Sequence, residues 1–110
     1  MKEYLQVVTT LDEEAKARSL AKGVVEARLA ACAQVSGPIV SFYWWKGEME
    51  EADEYLVIMK TTRESYPSLE RFIKERHPYS VPEILAFPVV AGNEDYLEWL
   101  EDEVDRKGEG

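Results

Sequence analysis

Arg76-His77-Pro78-Tyr79-Ser80-Val81-Pro82-Glu83-Ile84 decides how the second half of this chain is read, and it holds the only histidine. Proline disfavours helical backbone in the residue before it, so His77 and Val81 are pushed towards extended geometry. A helix arriving at His77 must therefore stop. Pro82 can open a strand because the first strand position loses no interior ladder bond. The segment reads as a stiff connector from helix to strand that presents His77, Tyr79 and Glu83 in a fixed arrangement.

The flanking residues support that reading. Upstream, Ser65 is placed to cap a helix with Pro67 in its first turn. Leu69, Phe72, Ile73 and Arg76 share one face of it, and Glu70 and Lys74 are a supportive pair. Downstream, Glu83 to Val90 is strand-like, and Pro88 within it implies an edge or a bulge. Asn93 is placed to cap a last helix with an apolar stripe of Tyr96, Leu97, Leu100 and Val104.

The first half follows the same grammar. Residues 3–10 are rich in β-branched residues and partly alternating, which predicts a strand. Thr10 to Glu13 has capping-box spacing, and Ala17, Leu20, Ala21, Val24 and Ala27 recur at helical intervals. Gly23 interrupts that helix where close packing would excuse it. Leu29 to Ala33 leads from the helix into the next strand, and Gly37-Pro38 is a turn signal. Ile39 to Trp45 is a strand with Val40, Phe42 and Trp44 on one face and Ser41, Tyr43 and Trp45 on the other. Lys46 to Asp53 reads as a polar, solvated hairpin end, and Glu54 to Thr62 returns as a strand. The order βαββαβ plus a helix is that of an α+β, ferredoxin-like sandwich in one domain, 1–110. Its helices cover one sheet face. The other face, and the aromatics on both sides of the hairpin, predict an oligomer.

Composition narrows the function. The 110 residues are 45% hydrophobic and 32% charged, with a formal net charge of −9. That balance fits a folded acidic domain and disfavours nucleic-acid binding, which needs clustered lysine and arginine. No stretch is apolar enough for a membrane span. A start without signal-peptide character and a single cysteine lead to the expectation of a cytoplasmic protein. The tail from Asp105 is expected to fray.

Familiar chemistries are missing from the sequence. There is no Gly-rich phosphate loop, no zinc-ligand spacing and no pointer to an activated serine. The carboxylates of Glu48 to Glu54 read as exposed, without the burial that acid–base catalysis requires. No enzyme activity and no organic cofactor are expected. Cys32 reads as a small buried hydrophobe, or alternatively as a soft ligand or redox thiol. His77 either caps its helix end and packs on Tyr79, or ligates a metal such as copper, nickel or zinc with a second subunit's help. Trp44-Trp45 suit a core and an interface, or the wall of a cleft. Lys60 is a paired strand charge, or an anion contact if it faces a cleft between subunits.

Taken together, Val7-Val8-Thr9-Thr10, Val25 to Cys32, Ser41 to Gly47, Lys60-Thr61-Thr62, His77 to Ile84 and Gly92 to Leu100 resemble the CutA family of divalent-cation tolerance proteins. The motifs occur in the family's order and cover nearly the whole chain. The resemblance implies a ferredoxin-like subunit in a compact homotrimer, cytoplasmic in prokaryotes, and a link to copper and other divalent cations. His77 matches the histidine considered for metal contact. Cys32 matches a position that looks structural. Some relatives carry a cysteine where this chain has Thr9. Trp45, Lys60, Tyr79 and Glu83 match positions associated with a cleft between subunits. The trimer is also similar in architecture to PII-type signalling proteins, which implies small-effector sensing as the alternative function.

Overall fold

A computed structural model describes residues 2–105 of the chain. In chain order the elements are β1 (Tyr4–Leu11), α1 (Glu14–Glu26), β2 (Cys32–Trp45), β3 (Glu48–Thr62), α2 (Tyr66–Arg76), β4 (Leu85–Pro88) and α3 (Glu94–Asp105). The strands form one antiparallel sheet in the order β2-β3-β1-β4. This is the expected ferredoxin-like topology with its added C-terminal helix. The tail beyond residue 105 lies outside the described residues.

Strand alternation builds the core. Leu5, Val7 and Leu11 of β1 and Val57 and Met59 of β3 project from one sheet face. Ala17, Leu20, Ala21 and Val24 of α1 and Leu69 and Ile73 of α2 close over them. The small residues of α1 let the two helices approach. A Cβ at Gly23 would sit 3.3 Å from the Phe72 ring, so this glycine has a packing reason. α1 ends at Glu26 because Arg28 turns left-handed, φ 62. The Leu29 and Ala30 amides then fold back onto the Val24 carbonyl. Ala27 consequently leaves the apolar stripe and is exposed.

Several local expectations change. Thr10 does not open a capping box, because β1 runs on to Leu11 and Glu13 takes the cap position without a side-chain bond. Burial of Leu11, 1% exposed, outweighs the local capping preference. Ser65 sits at the N-cap of α2 without a side-chain cap bond, whereas Asn93 caps α3 through Oδ1, which accepts from Asp95 N–H at 2.9 Å. Gly37-Pro38 does not turn the chain. β2 continues through it as a bulge, with Ser36 opposite Leu56 and Ile39 opposite Glu54. Gly37, φ 145, supplies backbone that other residues rarely adopt.

The polar hairpin end is also shorter than its composition suggests. Only Lys46-Gly47 turn, with φ of 52 and 81, the two-residue geometry that matches strand twist. Glu48 to Asp53 pair with Trp45 to Val40. The ladder satisfies their backbone while their charges stay in water. The β2–β3 ribbon helps give the subunit extents of 44 × 30 × 21 Å.

β4 spans only Leu85–Pro88, against Val8 to Leu5 of β1, and not Glu83 to Val90. Beyond Val8, the Thr10 carbonyl is taken by the His77 ring, so the ladder is not needed there. β4 is an edge strand, as Pro88 requires. The sheet face opposite α1 and α2 is covered at one end. There the Tyr4 hydroxyl of β1 donates to Glu101 Oε1 of α3 at 2.9 Å. The hairpin remains open, with Val40, Phe42, Trp44 and Met49 each more than half exposed.

Candidate functional site

The connector after α2 folds into a polar corner. Its backbone amide at His77 closes the last turn on the Ile73 carbonyl, 2.8 Å, and the ring then turns inward. His77 is 9% exposed. Its Nε2–H donates to the Thr10 carbonyl at 2.9 Å, and its Nδ1 accepts from the Tyr79 N–H at 3.1 Å. The ring is therefore held in its neutral form, with one nitrogen as donor and the other as acceptor. Burial pushes its pKa down. The Thr10 carbonyl, Asp12 and Glu54 act in the opposite direction.

Tyr79 extends the network. Its ring lies against His77, centroids 4.8 Å apart and planes tilted by 60°. Its hydroxyl donates to Glu54 Oε2 at 2.7 Å. Burial, and then the Glu54 contact, hold the phenol pKa far above its ordinary value. Glu54 itself is only 7% exposed, which corrects the reading of the whole Glu48 to Glu54 run as solvated. A cavity of about 300 Å³ opens beside this pair and is lined in part by Ser41, Tyr43, Glu54, Tyr79 and Glu83.

Of the residues singled out by sequence, Tyr79 and Glu83 meet at this cavity, beside His77. Trp45 and Lys60 do not. Trp45 sits at the hairpin turn opposite Glu48, with the Lys46 ammonium 5.9 Å from its ring centroid. Lys60 pairs with Cys32 and Gln6, and its Nζ donates to Gln34 Oε1 at 2.9 Å. At about 3.3 Å per residue, Glu48 and Lys60 stand roughly 40 Å apart along β3. One subunit cannot gather all four into one cleft.

Sequence reasoning missed Glu54 and Thr10, both of which hold the corner together. Glu54 sits in an acidic run and Thr10 in a strand, and no local pattern marks either. Their roles come from contacts with the connector, far along the chain. As a metal centre the corner of one subunit does not fit. Both ring nitrogens of His77 are engaged, and among the described residues no group of three or more His, Cys, Asp or Glu could hold an ion. No helix among the described residues is long and apolar enough to cross a membrane.

Comparison with known proteins places the architecture. The chain is 46% identical over 94 residues to the divalent-cation tolerance protein CutA of Thermus thermophilus, covering 86% of this chain and 91% of that protein. Protein CutA of Mus musculus is 44% identical over 91 residues, 83% of this chain, and the match spans about half of the mouse protein, 51%. The solved structure of the periplasmic divalent cation tolerance protein CutA from Archaeoglobus fulgidus superposes with a TM-score of 0.89 at 34% identity, covering 92% of this chain and 98% of that one. The family model of the CutA1 divalent ion tolerance protein matches residues 5–103. With its topology, its connector and this match in agreement, the chain belongs to the CutA1 divalent ion tolerance family.

Proposed function

We propose that this protein serves divalent-cation tolerance as a non-enzymatic homotrimer that binds copper or a similar ion weakly beside His77. The family match over residues 5–103 carries this reading. The open aromatic hairpin supports the assembly, since exposed apolar surface of that size seeks a partner. The His77 corner supports the location, because Asp12 and Glu54 act on the only imidazole and Glu83 lines the adjoining cavity. To ligate through Nδ1, His77 must release the Tyr79 amide. Losing that buried bond costs about 1–3 kcal/mol, which lowers affinity by about 10- to 100-fold relative to a free imidazole. A neighbouring subunit supplies the missing ligands.

Calorimetric titration of Cu(II) into wild type and His77→Ala tests the proposal, with circular dichroism to confirm that the variant is folded. Saturable binding that the variant loses is expected. Equal affinities would remove His77 from the site. The second reading, a PII-like effector trimer, is favoured by the aromatic-lined cavity at Tyr79 and Glu83. In that reading Trp45 and Lys60 join the cavity from neighbouring subunits. A thermal-shift screen of nucleotides and small anions checks it, and no shift with any of them would sink it.

A further inference from the structure

The helical layer of this acidic protein is basic. α1 and α2 hold six of the chain's 13 lysines and arginines but only four of its 22 aspartates and glutamates. The two helices are therefore net +2, and the rest of the chain is net −11. All six cations are exposed. Both helices pack on the sheet through their apolar stripes. Assembly through the open sheet face and hairpin, as proposed above, leaves their outer sides in water.

A groove of about 540 Å³ runs between these helices. Leu11, Leu20 and Phe72 form its apolar floor, and Gly23 keeps that floor open, since a Cβ there would meet the Phe72 ring at 3.3 Å. Along α1 the groove extends from Lys16 to Glu26, roughly 15 Å at about 1.5 Å per residue. Arg76 lies at the Lys16 end, because the next residue, His77, bonds the Thr10 carbonyl shortly before α1 begins. Its guanidinium sits 3.5 Å from the centre of the Phe72 ring. A guanidinium held on an aromatic face keeps its N–H edge for an anion. The Arg76 contacts to the Phe72 carbonyl and to Glu75 are both long, 3.4 Å. Lys16 touches Asp12 and Glu13 at 3.9 and 3.3 Å, exposed pairs that contribute little and yield to a better acceptor.

The groove therefore offers two cations at one end, an apolar floor and the Glu26 carboxylate at the other. We propose that it docks a short extended segment of another protein in which a carboxylate stands near an aromatic or aliphatic side chain. The carboxylate seats on Arg76 and Lys16, the apolar side chain lies over Leu20 and Phe72, and a backbone N–H donates to Glu26. About five extended residues span the length. The charge of the helical layer steers such an acidic partner to this side of the molecule, while the acidic remainder repels it elsewhere. An anionic membrane is the poorer match, since it asks for a denser basic cluster and would meet a chain of net −9. The inference goes beyond divalent-cation tolerance, because the partner is a polypeptide and the surface is not the His77 corner.

The test is fluorescence anisotropy of a set of labelled hexapeptides with the intact protein in low-salt, EDTA-containing buffer. The set pairs Asp or Glu with Leu, Phe or Trp at every spacing from adjacent to three residues apart, with matched Asn/Gln and Ser versions as controls. Saturable binding is expected for a subset that carries both features, and neither control version of those peptides should bind. Arg76→Gln should weaken them by about 10-fold, the scale of a charge-assisted hydrogen bond, and Lys16→Gln should weaken them further. Arg63→Gln, an equal change of charge beside Glu3 at the far end of β1 from Leu11, should leave them unchanged. No binding by any member of the set, or equal weakening by Arg63→Gln and Arg76→Gln, would overturn the proposal. Flotation with phosphatidylserine vesicles forms the second arm; vesicle binding that Arg76→Gln abolishes, without peptide binding, would overturn it in favour of a membrane surface. EDTA removes divalent ions, so either outcome is separate from that of the copper titration.

Discussion

Removing the Tyr79 hydroxyl is the sharpest perturbation of the corner. In Tyr79→Phe the ring that packs on His77 is kept, and only the 2.7 Å bond to Glu54 is lost. Glu54, 7% exposed, then keeps no protein donor and little access to water. Hydrogen bonds to charged groups contribute about 1.5–3 kcal/mol. Tyr79 is itself only half-buried, so the expected loss is at the lower end, about 1–2 kcal/mol. Urea denaturation at fixed protomer concentration measures it, because assembly makes apparent stability depend on concentration. The cycle with Glu54→Ala isolates the pair, and a coupling of about 1 kcal/mol is expected. A Tyr79→Phe protein within about 0.3 kcal/mol of wild type, or a vanishing coupling, would refute the view that this pair holds the connector in place.

Acidification should destabilise the protein through His77. Its folded pKa is depressed by burial, so its contribution is complete above the unfolded value of about 6.5 and is lost as pH falls through the lower folded value. Stability measured in metal-free buffer should decline below about pH 6.5, and His77→Gln should flatten that decline; an unchanged slope would contradict the burial argument. Thr9 is fully buried and its hydroxyl has no partner, so Thr9→Val should raise stability by about 1 kcal/mol in the same urea assay. A loss of stability there would mean that the hydroxyl is satisfied. Gly37→Ala should cost about 2 kcal/mol or more, because φ is +145 and the new Cβ would lie 2.9 Å from Tyr55 Cδ1 and 3.0 Å from the Glu54 carbonyl. A neutral substitution would show that the bulge relaxes.

The element order, the α1 and α2 stripes and the helix-ending role of His77-Pro78 were legible because each is written in neighbouring residues. Periodicity marked Leu20 and Val24, and Asn93 announced its own cap. What local patterns could not convey were decisions made across the sheet. Thr10-to-Glu13 capping gave way to burial of Leu11. Gly37-Pro38 became a bulge because β3 continues past it as a partner. The acidic stretch after Gly47 stays in the ladder because backbone pairing does not depend on side-chain charge. The site shows the same division. His77, Tyr79 and Glu83 were found from their own segment, whereas Glu54 is assigned by a contact 25 residues away. Trp45 and Lys60 lie far from that corner within one subunit, which neither periodicity nor motif could have revealed.

Under the proposed function, a divalent ion is held beside His77 where a second subunit completes the site. Diffraction at the copper absorption edge from crystals soaked with Cu(II) tests it most directly. The expected result is an anomalous peak within coordination distance of the His77 ring, with the Tyr79 amide released and a ligand contributed by a neighbouring subunit. Copper bound only elsewhere, with the Tyr79 N–H still on Nδ1, would contradict it.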